Sequence, residues 1–161
     1  SFGNDFLAQV TREWEREILN AEDLNIRTIR LRTGIVLGKR GGALKKMKPI
    51  ILGNGSQWMS WIHLSDVVNF IQFALEREQI RGVYNLTAPN PVRNREFTRL
   101  LARALKIPIV FRVPQILIET ILGEMASLLF NSCKAIPRCA IQQGFEFSFK
   151  TLDAALKDIY T

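Results

Sequence analysis

The residues with the widest chemical range fall within nine positions, Trp58-Met59-Ser60-Trp61-Ile62-His63-Leu64-Ser65-Asp66, which hold two of the three tryptophans and the only histidine. Indoles stack on nucleotides and sugars, and an imidazole can bridge a phosphate or move a proton near neutral pH. The same residue types also serve as core, since large aromatics are mostly buried and a histidine ahead of a helix satisfies backbone groups. Asp66 reads as a cap or as a partner of His63, without a proton-transfer role. Elsewhere the reactive groups are sparse. Cys133 and Cys139 are the only cysteines and have no histidine nearby, so no zinc site or disulfide framework is indicated and no metal is expected. They read as buried or idle thiols of a reducing compartment.

The elements that must position these residues follow from periodicity. Trp58, Ser60 and Ile62 alternate with Met59, Trp61 and His63, as in a strand. Ser65 or Asp66 then caps a helix whose apolar residues are Val67, Val68, Ile71, Ala74 and Leu75. A strand running into a capped helix is where open α/β sheets place ligands.

Upstream, the spacing predicts an amphipathic helix over 6–22 with Leu7, Val10, Trp14 and Ile18 on one stripe. A strand follows within 26–37, with Ile29, Leu31 and Thr33 on one face and Arg30 and Arg32 on the other, ending at Thr33-Gly34 or shortly after. Gly34, Gly38, Gly41 and Gly42 make a permissive loop that lacks the spacing of a phosphate-binding P-loop. Ala43, Leu44 and Met47 start a short helix that Pro49 stops. Downstream, the pattern predicts a strand over 82–86, a helix capped by Asn94, a strand over 107–113 and an apolar helix over 114–130. A short helix ended by Gly144, a strand on Phe145, Phe147 and Phe149, and a last helix capped by Thr151 complete the chain.

Alternating helices and strands argue for an α/β protein, yet a parallel sheet of residues 26–33 and 82–86 alone is too narrow to stand comfortably. The net charge is +7, with eight basic residues and no acid between Arg27 and Ser65. The basic residues are dispersed and the aromatics read as core, so nucleic acid is not the expected partner; a small phosphorylated ligand or a solvated surface fits better. No run reaches the roughly 20 apolar residues of a membrane span, and no charged-then-apolar leader opens the chain. A soluble, cytoplasmic protein is expected.

Four motifs occur in a telling order: Arg32-Thr33-Gly34-Ile35-Val36-Leu37-Gly38, Gln57 to His63 with Asp66, Asn85-Leu86-Thr87-Ala88-Pro89-Asn90-Pro91-Val92, and Gly123-Glu124-Met125-Ala126. Together they resemble the C-terminal half of the epimerase-like proteins of the extended short-chain dehydrogenase/reductase superfamily, often labelled nucleoside-diphosphate-sugar epimerases. The resemblance runs from Asp5-Phe6-Leu7-Ala8 to Leu152-Asp153-Ala154-Ala155-Leu156. It implies the last elements of an NAD(P)-binding Rossmann domain plus interdomain segments over 1–90 and a small α/β substrate-side domain over 91–161. It further implies NAD or NADP as cofactor in the full-length parent, with Thr33, Gly34 and Ile35 under the nicotinamide. Gln57, Trp58, Trp61 and His63 would face a small-molecule substrate such as a nucleotide sugar.

Two departures from the family pattern bear on activity. No Gly-x-x-Gly-x-x-Gly occurs among the ten glycines, so the turn that cradles a dinucleotide pyrophosphate is missing. The superfamily's acid-base pair is a Tyr followed four residues later by a Lys; aligning Glu15 with the family's usual glutamate puts Leu7 and Thr11 in those places, and neither moves a proton at neutral pH. The segment between Met47 and Gln57 is also shorter than the family's loop. The resemblance therefore implies a fragment of an NAD(P)-dependent epimerase or oxidoreductase, inactive by itself. The alternative is a non-catalytic module whose basic faces hold an anionic ligand or a protein partner.

Overall fold

The computed structural model describes residues 6–39, 41–42, 44, 47–108, 112–114, 116–117, 120 and 132–161. Eighteen residues without glycine or proline form α1 (Phe6–Asp23), and Asn25 at φ 60° turns the chain out of it. There follow β1 (Ile29–Thr33), β2 (Ile35–Leu37), β3 (Ile51–Leu52), β4 (Trp58–Met59), β5 (Trp61–His63) and α2 (Leu64–Leu75). The rest comprises β6 (Gly82–Leu86), β7 (Val92–Arg93), α3 (Asn94–Leu105), β8 (Arg112–Val113), α4 (Arg138–Gln142) and α5 (Leu152–Tyr160).

Among the described residues the strands pair two by two. β1 runs parallel to β6 with Ile29 opposite Gly82 and Thr33 opposite Leu86, and β2 runs parallel to β5 with Ile35 opposite Trp61. β3 pairs with β8 in parallel, and β4 with β7 antiparallel. The strand expected within 26–37 ends at Thr33, and at Gly34 the chain leaves one partner for another: Gly34 N–H donates to Leu86 O and Ile35 N–H to Ser60 O.

Two apolar clusters hold these pieces together. One joins Leu37 and Trp61 to Phe97, Leu101 and Leu156; the other joins Ile62, Phe70, Tyr84 and Leu86 to Ala140, Phe145 and Phe147. Each cluster draws residues from both sides of position 90, because the segment after Pro137 returns to pack on β6 and α2. β5 is buried along its whole length, Trp61 feeding one cluster and Ile62 the other. The alternation expected of the tryptophan strand therefore sorts its residues between two cores, with neither face left in solvent.

Both helices beside the β1–β6 pair turn apolar residues outward. On α1, Trp14 is 69% exposed and Ile18 and Leu19 are exposed, while Glu15 and Glu22 reach Arg32 and Arg30 on the sheet. On α2 the buried residues are Asp66, Phe70 and Ala74, and the stripe Leu64, Val68, Ile71 and Leu75 is exposed. Of the expected apolar residues, Trp14, Ile18, Val68, Ile71 and Leu75 are turned away from this chain's own core, whereas Ala74 and Val67 pack into it.

Several caps differ from expectation. The N-cap of α2 is His63, whose Nδ1 accepts from Ser65 N–H, so neither Ser65 nor Asp66 caps it. Asn94 is the first helical residue of α3; it is buried, and its Oδ1 accepts from Leu52 N–H, tying β3 to the helix. Thr151 is the N-cap residue of α5, as expected, but makes no side-chain cap bond. The phenylalanines at 145, 147 and 149 are not in a ladder, since Asp66 takes the backbone N–H groups of Ser148 and Phe149. The expected helix over 114–130 and the short one from Ala43 lie largely outside the described residues, and of the strand over 107–113 only Arg112–Val113 is observed.

Candidate functional site

Three of the four side chains expected to face substrate are turned inward. Trp61 is fully buried and its Nε1 donates to Asn90 O at 3.0 Å. Gln57 is buried and donates to Leu52 O at 3.3 Å. His63 lies under Phe149, with ring centroids 4.0 Å apart. Because its Nδ1 accepts a backbone N–H, the neutral ring carries its proton on Nε2, which sits 3.3 Å from Asp158 Oδ2 but off hydrogen-bond geometry. Asp66 is fully buried and spends both carboxylate oxygens on Ser148 and Phe149, at 2.8 and 3.0 Å. His63 and Asp66 are joined through these helix and loop contacts and make no direct pair.

Trp58 is the exception. It is half-buried, with the Arg93 guanidinium 4.1 Å from its ring centroid and Lys134 Nζ 4.4 Å from it. Two cations on one indole are favourable to it through the ring quadrupole and hold both charged groups near the surface. Its backbone N–H donates to Ser132 Oγ, and its carbonyl accepts from Cys133 N–H.

Ser60, which carries no obvious chemistry in the sequence, is the hub of this region. Its hydroxyl donates to Cys133 O at 2.7 Å and accepts from Ala135 N–H at 2.9 Å, and its own carbonyl accepts from Ile35 N–H. Thr87 Oγ1 adds a bond to Ala135 O. The segment 132–136 is thereby strapped across the ends of β4, β5 and β6. The Trp58 and Ser60 side of the strap spans more than seventy positions and the Thr87 bond 48, so no local pattern signals them.

Thr33, Gly34 and Ile35 lie at the end of β1 beside this strap. A Cβ on Gly34 would stand 2.7 Å from Ser60 O and 3.1 Å from Thr87 Cγ2. The smallness of Gly34 is used by the protein's own strand junction. Thr33 is exposed and Ile35 leans on the first apolar cluster.

Below the strand end, Arg32 makes a two-pronged bond to Glu15, Nε to Oε1 and Nη2 to Oε2, each 2.7 Å. The Arg32 hydrogen bond holds the Glu15 carboxyl below its ordinary range, and Glu15 in turn raises Arg32. Both tyrosines are pushed upward by burial, which disfavours their charged forms. Neither is poised to exchange a proton near neutrality.

Beside Arg32 a cavity of about 410 Å³ opens between the β1–β6 pair and the segment 134–139. Val83 and Ile136 are among its lining residues, with Asn85, Lys134, Arg138 and Cys139 around them, and no acid is among the described residues that line it. Cys133 and Cys139 are both exposed and unpaired, and no group of metal-ligating side chains occurs among the described residues.

Residues 21–87 match the NAD dependent epimerase/dehydratase family, and residues 113–159 match a domain of unknown function, DUF1731. An epimerase family protein SDR39U1 homolog from Arabidopsis thaliana, named as chloroplastic, is 43% identical over 98% of this chain and 47% of its own length. The human epimerase family protein SDR39U1, solved with NADPH, superposes with a TM-score of 0.76 at 34% identity, over 83% of this chain and 48% of that one. The chain belongs to the epimerase family of extended short-chain dehydrogenases/reductases. A nucleoside-diphosphate sugar epimerase from Corynebacterium glutamicum gives the same TM-score of 0.76 at 30% identity, covering 98% of this chain and 32% of that one. This epimerase-family chain spans about half the length of the curated relatives it matches.

Membership implies a Rossmann-type α/β fold and a nicotinamide dinucleotide, the cofactor named in this family's description. The residues present fit such a group only in part. The β1 end offers Thr33 as an exposed edge, but the space beside Gly34 is filled by Ser60, and the sequence has no Gly-x-x-Gly-x-x-Gly turn to receive a pyrophosphate. No described helix is long and apolar enough to cross a membrane.

Proposed function

We propose that this chain forms one wall of an NAD(P)-dependent epimerase or oxidoreductase acting on a sugar nucleotide or a related carbonyl or alcohol, and that it is inactive alone. The observation that carries this reading is the pair of outward apolar stripes, Trp14 and Ile18 on α1 and Val68, Ile71 and Leu75 on α2, flanking a sheet only two strands wide. Exposed apolar residues on both helices beside so narrow a sheet mark interaction faces, and the remaining elements of a Rossmann domain are what such faces accommodate. Residues 1–90 are then the last Rossmann elements with interdomain segments, and 91–161 the substrate-side domain. Because Phe145 and Phe147 pack on α2, the last segment closes the Rossmann side as well.

Inactivity follows from what α1 carries. The Glu15–Arg32 pair seats the helix on β1, and Leu7 and Thr11 occupy the two turns ahead of it where the family's acid-base pair belongs. In this arrangement Thr33 and Ile35 border the nicotinamide, and Trp58 is the expected substrate residue best placed to meet a ligand. The two exposed thiols support a reducing compartment such as the cytoplasm.

The test is a steady-state assay of NADPH oxidation with UDP-glucose and simple carbonyl compounds. The 161-residue chain is expected to show no turnover. Turnover proportional to its concentration overturns the reading. A non-catalytic anion-binding module is the second reading, favoured by the cavity beside Lys134 and Arg138, with no acid among the described residues that line it.

A further inference from the structure

We infer that the cavity between the β1–β6 pair and the segment 134–139 binds a small phosphate-bearing ligand, held by Lys134, Arg138 and the Asn85 amide. None of the residues expected to touch cofactor or substrate lines this cavity.

The charge balance points to an anion. Arg32 is neutralised by Glu15, whereas neither Lys134 nor Arg138 makes an ion pair among the described residues. A concave surface lined by one sign of charge concentrates counter-ions, and here apolar Val83 and Ile136 lower the local dielectric. The volume of about 410 Å³ lies within the range of small-molecule sites. A phosphate ester also matches the donor set: an ammonium as a point charge, a guanidinium for paired oxygens and a neutral amide.

The cavity rim is fixed in advance. Ser60 and Thr87 pin residues 133–135 by three hydrogen bonds, and the Trp58 ring holds Lys134 Nζ at 4.4 Å. Lys134 thus loses less side-chain freedom on binding than a lysine free in solvent.

Cys139 lines the cavity and reports on it, while the other thiol, Cys133, is removed by Cys133→Ser. Alkylation of Cys139 by iodoacetamide, which is uncharged, is timed with increasing pyrophosphate against sodium chloride of equal ionic strength. We expect pyrophosphate to slow the reaction several-fold and saturably. Lys134→Ala and Arg138→Ala should each raise the half-protecting concentration roughly tenfold, the size of one charge-assisted hydrogen bond. Protection no greater than that of sodium chloride, or unchanged in both variants, overturns the proposal. A parallel series with NADPH separates two sources of the same chemistry. Protection by pyrophosphate alone assigns a compact phosphate ligand, independently of the reaction proposed above. Protection by NADPH at lower concentration would keep the cavity an anion site but contradict the absence of a dinucleotide site from this chain.

Discussion

Arg32 grips Glu15 through two parallel hydrogen bonds of 2.7 Å, joining α1 to β1 across 17 residues of sequence. The pair sets α1 against β1. Arg32 is 41% exposed at its side chain, which limits the energetic value of the bridge in spite of its geometry. Replacing Glu15 by Gln should cost about 0.5–1 kcal/mol at neutral pH. The folded-state carboxyl is held below its ordinary 4.5, so its contribution is present above that value and is lost as pH falls through the depressed one. Urea unfolding of both proteins should show a gap at pH 7 that closes on strong acidification. A gap of constant size across pH would contradict this assignment.

Gly34→Ala should destabilise the protein by about 1–3 kcal/mol, because the new methyl must displace backbone. Ser60 O and C would lie 2.7 and 2.9 Å from the added Cβ. An unchanged urea midpoint would show that the strand junction is looser than described.

Ser60→Ala should loosen the strap. It leaves the Cys133 carbonyl and the Ala135 N–H without their hydroxyl partner, a loss of about 1–3 kcal/mol if solvent does not replace it. Hydrogen exchange at Ala135 should accelerate while amides of β1 and β6 keep their protection. Equal exchange at Ala135 in both proteins would remove Ser60 from its proposed role as the hub.

Asp66→Asn replaces one acceptor with an NH2 group that faces a backbone N–H. Since Asp66 is fully buried and accepts from both Ser148 and Phe149, the expected cost is about 2–3 kcal/mol. Thermal unfolding and exchange at these two amides measure it; a wild-type melting temperature with wild-type protection would contradict it.

Local structure was readable where neighbours in sequence decide it. The 3.6-residue period gave α1 nearly to its ends, Gly82–Leu86 appeared as β6, and Gly144, at φ 82°, closes the short α4 as expected of a glycine C-cap. What a periodic stripe faces is a tertiary matter, and here the Trp14 and Val68 stripes point away from the chain's own core. The motif around His63 marked an important place, but its chemistry pointed toward ligands, whereas packing turns Trp61 and His63 inward and leaves Trp58 at the surface. Ser60 and the 132–136 strap escaped notice because a serine bonding across more than seventy residues has no signature in local sequence. The anion cavity escaped for the same reason: its basic residues come from β1 and from a segment a hundred positions later.

The central claim is that the dinucleotide cradle does not reside in these residues. Following tryptophan emission while NADPH is added to the 161-residue chain tests it most directly, since Trp58 is the expected ligand-facing aromatic that packing leaves half-buried. The account predicts no saturable change beyond inner-filter loss. Saturation in the micromolar range would show that this chain holds the nucleotide itself.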